Sequence, residues 1–261
     1  MDKNEVREIF DRVMRENARP DGPGALVERV GGVVRQSGSA DHWNGVVWSD
    51  LNQDTADAAI AEQVRHFGLM GREFEWKLYA HDLPVDLPER LKAAGFVPEP
   101  TEALMVAEVR EQLAHAVELP EGVRLVPVTD AAGVDLVARA HTLAFGREMG
   151  GSKNRLVAQL AETPDQVVVV VAMAGDEPVS GARMELHPGT GFAGLWGGGT
   201  APGWRGRGIY RALVAHRAAI AAERGYRYLQ VDASDQSRPI LERLGFSVLS
   251  TTTPYVRGAG V

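Results

Sequence analysis

Hydrophobic positions along the chain switch between two periods. Val6, Ile9, Phe10, Val13 and Met14 recur at spacings of three and four, which predicts an amphipathic helix over residues 2–17. Gly22-Pro23-Gly24 stops it. Strand-like runs follow at 26–35 and 45–52, then a helix over 54–67, a strand over 74–80, a short helix over 87–94 and a strand over 103–109. Residues 110–122 read as a linker, and after them the alternation restarts. A strand at 123–128 leads to a helix that Asp130 can cap, running to about Phe145. A glycine-rich stretch, 146–154, precedes a short helix ending at Leu160. The valine-rich run 167–174 reads as a buried strand, and 179–187 and 192–200 complete a meander. A long alanine-rich helix covers 209–224, followed by a strand at 226–232, a short helix at 239–244 and a last strand or two over 246–256.

Two parts of this pattern repeat. Phe74 to Tyr79, then Leu87 to Ala94, then Gly95-Phe96 form one unit of strand, short helix, Gly-Phe and strand. Tyr226 to Val231, then Arg238 to Leu244, then Gly245-Phe246 form the other. In each, glycine can end the helix in a left-handed conformation and phenylalanine can anchor the next strand. The repeat predicts a duplicated α/β (α+β) chain of two mixed-sheet domains, 1–118 and 119–261, the first only partial.

Charge separates the halves. Residues 1–119 carry 13 Lys and Arg against 22 Asp and Glu, a net of −9, and residues 120–261 carry 15 against 13, a net of +2. The basic residues of the second part are arginine except Lys153, and arginine is the better fork for phosphate. The acidic whole, at −7, argues against a nucleic-acid partner. There is no cysteine, which removes disulfides, thiolate nucleophiles and cysteine-ligated metal. The seven histidines show no His-x-x-x-His pattern, so no metal is expected. A charged start and a longest apolar run of Val167 to Ala174 predict a soluble, cytoplasmic protein with no membrane partner.

The stretch Arg205-Gly206-Arg207-Gly208-Ile209-Tyr210 lies between a strand and a helix. A glycine-rich turn at that place aims main-chain N–H groups and the helix dipole at an anion. Gly206 and Gly208 let a phosphate approach without a Cβ in the way, and Arg205 and Arg207 can add charge-assisted contacts.

This stretch resembles the GNAT family of acyl-CoA N-acyltransferases, whose Arg/Gln-x-x-Gly-x-Gly/Ala turn cradles the pyrophosphate of coenzyme A. Arg205 and Gly208 match the first and fourth positions. Thr200-Ala201-Pro202-Gly203-Trp204 is similar to the approach from the family's fourth strand, and 239–246 to its closing helix and Gly-Phe strand. The resemblance covers about 122–257, with a degenerate copy before it. It implies acetyl-CoA as cofactor, held by Gly198, Gly199, Thr200, Arg205, Gly206, Arg207, Gly208, Ile209, Tyr210 and Ser234. It implies acetyl transfer to a primary amine by direct attack. The acceptor is a small molecule or a peptide, and a homodimer is compatible with it. Two positions depart from the pattern: Tyr210 stands where the family prefers Gly or Ala, and Leu241 stands where it often has a tyrosine that protonates the thiolate. Ser234 replaces an asparagine.

Such chemistry needs a base and an acid. Glu185, on a strand beside the cofactor strand, is the first candidate base, and His141, on the first helix of this half, is the second. Tyr255 is a candidate substitute acid from the last strand. Trp196 packs in the core or lines the acceptor pocket, and Gly197-Gly198-Gly199 allows either close approach of pantetheine or a strand bulge. A non-catalytic acyl-CoA-binding protein, and a dimerisation module that has lost the cofactor, are the competing readings.

Overall fold

Asp2 accepts hydrogen bonds from the N–H groups of Asn4 and Glu5 at 2.9 and 3.2 Å and starts helix α1, Lys3–Phe10. Val6 and Phe10 form its buried side, and a wider π-type turn over Asp11–Glu16 continues it. The computed structural model describes residues 1–112 and 118–259, so the middle of the 110–122 linker lies outside the described residues.

The 26–35 run is a hairpin rather than one strand. β1, Leu26–Val30, and β2, Val33–Ser37, pair antiparallel about Gly31-Gly32, with Gly31 at φ +57°. Apolar residues on both arms of a two-residue turn hide the reversal from a hydropathy pattern. Next come β3 (Gly45–Ser49), α2 (Ala56–Leu69), β4 (Phe74–Tyr79), α3 (Leu87–Ala93), the two-residue β5 (Val97–Pro98), β6 (Glu102–Glu108) and α4 (Val109–Gln112). The second part holds β7 (Val123–Val128), α5 (Ala131–Phe145), α6 (Gly151–Glu162), β8 (Val167–Ala174), β9 (Glu177–Leu186), β10 (Phe192–Thr200), α7 (Ile209–Glu223), β11 (Tyr228–Ala233), α8 (Arg238–Arg243) and β12 (Ser247–Arg257). Helix α6 starts at Gly151, inside the stretch expected to be irregular, because Gly150 at φ +56° makes the turn into it.

The chain divides into two units. The first comprises Met1–Leu104, Asp232–Arg238 and Val248–Val261, and the second Met105–Val231 and Pro239–Ser247. A single boundary at 118/119 was expected; the units instead draw on interleaved segments, and β12 belongs to the first. In that unit the strand order is β1-β2-β3-β4-β12, with β3 and β4 parallel and β12 antiparallel to β4. Its core is built from Phe67, Phe74, Trp76, Leu87, Leu91, Phe96 and Tyr255.

The second unit is an antiparallel meander, β7-β8-β9-β10, extended by β11 parallel to β10. Strand β8 explains its own valine run. Val167, Val169, Val171 and Met173 face Val134, Val137 and Leu156 of α5 and α6, while Val170 and Ala172 face Ile209 and Leu213 of α7. A strand covered on both faces needs no polar alternation.

The repeat seen in the sequence is present in hydrogen bonds. Gly95 and Gly245 sit at φ +87° and +86°. Phe96 N–H donates to the Leu91 carbonyl at 3.1 Å, and Phe246 N–H to the Leu241 carbonyl at 3.0 Å. Both phenylalanines are buried, as are Leu91 and Leu241.

Candidate active site

Strands β10 and β11 keep parallel register through Phe192/Tyr228, Ala193/Leu229 and Gly194/Gln230, and their ladder stops there. Beyond it β10 bulges: its register against β9 shifts between Trp196 and Gly199, with Gly197 at φ +63°. A strand bulge, one of the two readings of the three successive glycines, is therefore present, but the three do different work. A Cβ on Gly198 would lie 2.9 Å from the Tyr210 ring, and one on Gly199 would lie 2.4 Å from the Phe145 ring and 2.9 Å from Ala144. The protein's own side chains fill these two places. Gly197 faces open space. Thr200 is likewise engaged, its hydroxyl 3.0 Å from that of Ser180.

The turn into α7 is more open. Gly206 and Gly208 are both left-handed, at φ +74° and +87°, and no heavy atom lies within 4 Å of a Cβ on Gly206. The N–H groups of Gly206, Arg207 and Gly208 donate to no backbone carbonyl among the described residues. Those of Ile209 and Tyr210 belong to the first helical turn, which has no intrahelical acceptor to offer. Five consecutive main-chain N–H groups, 206–210, are thus left without a backbone acceptor among the described residues, next to the open space at Gly206. Arg205 is committed elsewhere: Nε donates to the Thr200 carbonyl at 3.0 Å and Nη2 to the Ala144 carbonyl at 2.8 Å. It ties the loop to the ends of β10 and α5, which is positioning rather than free charge. Arg207 is exposed and lies 4.8 Å over the Trp204 ring.

Tyr210 does not cover the loop; its ring turns inward to Gly198, beside Arg217. Burial raises the phenol's pKa, and the Arg217 charge pulls it back in part. Arg217 is 1% exposed and donates to the carbonyls of Leu213 at 3.0 Å and Arg183 at 2.8 Å. Burial without a carboxylate lowers its pKa to about 10, Tyr210 opposing the shift.

A cavity of about 180 Å³ opens at the bulge, lined by residues of α5, α6, β9 and the connection between the helices, with Gly197 at its edge. His141, Arg147, Glu148, Ser152 and Arg183 supply its polar surface. Burial, followed by Arg147 and Arg183, lowers the His141 pKa below the ordinary imidazole value. The ring is therefore neutral near pH 7 and able to accept a proton. Glu185 does not line this cavity. Its Oε1 lies 3.2 Å from Arg183 Nε, both side chains being 15% exposed. The sequence singled out His141 for this region, but not Arg183, Arg147 or Glu148, which carry no spacing signature.

Two expected site residues lie elsewhere. Tyr255, expected as an acid on the second domain's last strand, belongs to the first unit. It is 6% exposed there, opposite Trp76 and Pro98, because β12 completes that unit's sheet. Ser234 is exposed at the turn after β11, also in the first unit, and its carbonyl accepts from the N–H groups of Ser237 and Arg238. Leu241 is completely buried, as its counterpart Leu91 is, so packing explains the absence of a tyrosine.

Residues 135–246 match the Acetyltransferase (GNAT) family model. The fold resembles a GCN5-related N-acetyltransferase from Kribbella flavida at 19% identity and a TM-score of 0.69, over 98% of this chain and 96% of that one. A conserved protein of unknown function from Staphylococcus epidermidis superposes at 13% identity and a TM-score of 0.68, over 94% and 97% of the two chains. A tandem GNAT protein from the clavulanic acid biosynthesis pathway does so at 15% identity and 0.60, over 94% and 86%. No curated relative matches. Among the described residues no helix is long and apolar enough to cross a membrane.

Proposed function

We propose that residues 135–246, which match the Acetyltransferase (GNAT) family model, form an acetyltransferase domain, and that the protein transfers an acetyl group from acetyl-CoA to a primary amine by direct attack. The observation that carries this reading is the loop 206–210, where successive main-chain N–H groups lack backbone acceptors and the space at Gly206 is open. The main-chain nitrogens of Gly206 to Tyr210 would hold the pyrophosphate, with Arg207 adding charge at its exposed side. Arg205 keeps the loop in place through the Thr200 and Ala144 carbonyls. When bound, acetyl-CoA supplies an activated acyl group as a thioester.

The acceptor amine enters the cavity beside the bulge. His141, neutral in this setting, takes the proton that the ammonium must lose before its nitrogen can attack. Exchange of the thioester's C–S bond for the amide's C–N bond would release a second proton from the attacking nitrogen to solvent and would call for one proton at sulfur. Leu241 cannot give that proton, so solvent supplies it. N–H groups of the bulged strand near Gly197 offer polarisation of the reacting carbonyl.

Calorimetry with acetyl-CoA tests the cofactor site. Gly206→Val places a β-branched side chain at φ +74° in the open cradle, and at least tenfold weaker binding is expected; unchanged affinity would remove the placement. A buried leucine at the position of the family's usual acid favours a second reading, a non-catalytic acyl-CoA binder. Mass spectrometry of an amine panel decides between them: an acetylated product supports the enzyme, and binding with no product throughout the panel supports the binder.

A further inference from the structure

The cavity beside the β10 bulge holds a guanidinium with unused donors. Arg183 lies on β9 and lines the cavity with a side chain only 15% exposed. Its Nε is buried and makes no hydrogen bond, although Glu185 Oε1 is 3.2 Å away: that carboxylate is close enough for charge attraction but off the N–H axis. No acceptor is recorded for Nη1 or Nη2 among the described residues. Among the described residues the guanidinium carbon also lies 5.9 Å from the Trp196 ring, too distant to satisfy planar donors. A guanidinium carries five N–H donors in a fixed fork, and leaving them unmet in a half-buried place is costly.

The surroundings narrow what meets them. Arg147, which is exposed, and Ser152 also line the cavity. Glu148, the lining's one carboxylate, is exposed and has no ion-pair partner among the described residues. His141 contributes no fixed charge at neutral pH. The cavity, at about 180 Å³, is smaller than the roughly 300–1,000 Å³ of sites for drug-sized ligands.

We propose that the acceptor amine belongs to a small molecule that also carries a carboxylate, which the Arg183 fork receives while Arg147 guards the mouth of the cavity. The class is that of amino acids and related amino carboxylates, rather than polyamines or neutral amines. The planar fork matches a carboxylate bidentately, and this also fixes where the amine points, toward His141 and the bulge. The acidic balance of residues 1–119 does not decide the acceptor, because the recognising charges lie in the second unit's own cavity.

This inference rests on the transferase reading, so the experiment separates the two. Initial rates of thiol release at saturating acetyl-CoA are compared for amino acids, their carboxamides and the matching decarboxylated amines. The wild-type protein is expected to favour the carboxylates at least tenfold in kcat/KM. Arg183→Gln should raise KM for carboxylates, change kcat less, and abolish the preference, while Arg183→Lys should restore part of it. Amides or diamines acetylated as well as carboxylates, or a preference unaffected by Arg183→Gln, would overturn the proposal. In parallel, N-acetylamino acids and their amides are titrated calorimetrically without cofactor. Carboxylate-selective binding that Arg183→Gln abolishes supports the pocket assignment even if acetyl-CoA fails to bind, an outcome that would sink the transferase reading alone. Equal binding of acid and amide sinks the pocket assignment alone.

Discussion

His141 and Glu102 are displaced in opposite directions by one cause, loss of water. Burial favours neutral imidazole over imidazolium, and Arg147 and Arg183 add to it. The acid limb of kcat/KM is therefore expected to fall below the ordinary histidine midpoint of about 6.5, and His141→Gln should slow turnover about 100-fold; a pH–rate profile checks both. Glu102, in the first unit, is pushed up to about 7 by burial and then by Asp232, with Lys77 opposing. Its folded pKa exceeds its unfolded one, so its contribution to stability is present below about 4.3 and is lost as pH rises through about 7. Glu102→Gln should accordingly raise the melting temperature at pH 8 and leave it nearly unchanged at pH 4.5, as calorimetric scans of both proteins would show. None of these shifts is visible in residue order. The environments arise from β9 against α5, and, within the first unit, from Asp232 and Lys77 beside Glu102, residues far apart in the chain.

At the scale of elements, the two Gly-Phe units make the duplication physical. Each glycine ends a short helix in a conformation that costs other residues about 1–2 kcal/mol, and each phenylalanine then enters a core. Gly95→Ala and Gly245→Ala are expected to destabilise by about 1 kcal/mol each, measured by chemical denaturation; a marked inequality would argue that the caps are not equivalent. Most elements were legible because their signals are local: a capping aspartate, a glycine stop, a period of 3.6 or 2. The β1–β2 hairpin and the start of α6 were not, because both arms of the hairpin are apolar and α6 begins among glycines. The turn Arg205 to Tyr210 was legible as a turn because its own glycines, Gly206 and Gly208, set its conformation. The roles of Gly198 and Gly199 were not, since Tyr210, Ala144 and Phe145 reach them from distant positions.

For the whole molecule, neither contiguous half contains a complete unit. The first unit needs β12, through the Tyr79–Thr252 to Phe74–Arg257 register with β4 and through Tyr255 in its core. The second needs Met105 to Gln112, whose Gln112 Nε2 donates to the Leu244 carbonyl at 2.7 Å. Fragments 1–118 and 119–261, made separately, are expected to lack native tertiary structure by near-ultraviolet circular dichroism; a natively folded isolated half would contradict this partition.

The sequence by itself determined the helices and strands, the repeated Gly-Phe stop and the donor-rich turn before Ile209, because each depends on torsions and hydrogen bonds within a few residues. Only the tertiary structure decided that β12 completes the first unit, that Tyr255 is core, that Arg205 braces its loop, and that Arg183 faces a cavity with its donors unmet. Those outcomes depend on which distant side chains exclude water together, and no short stretch of the chain encodes that.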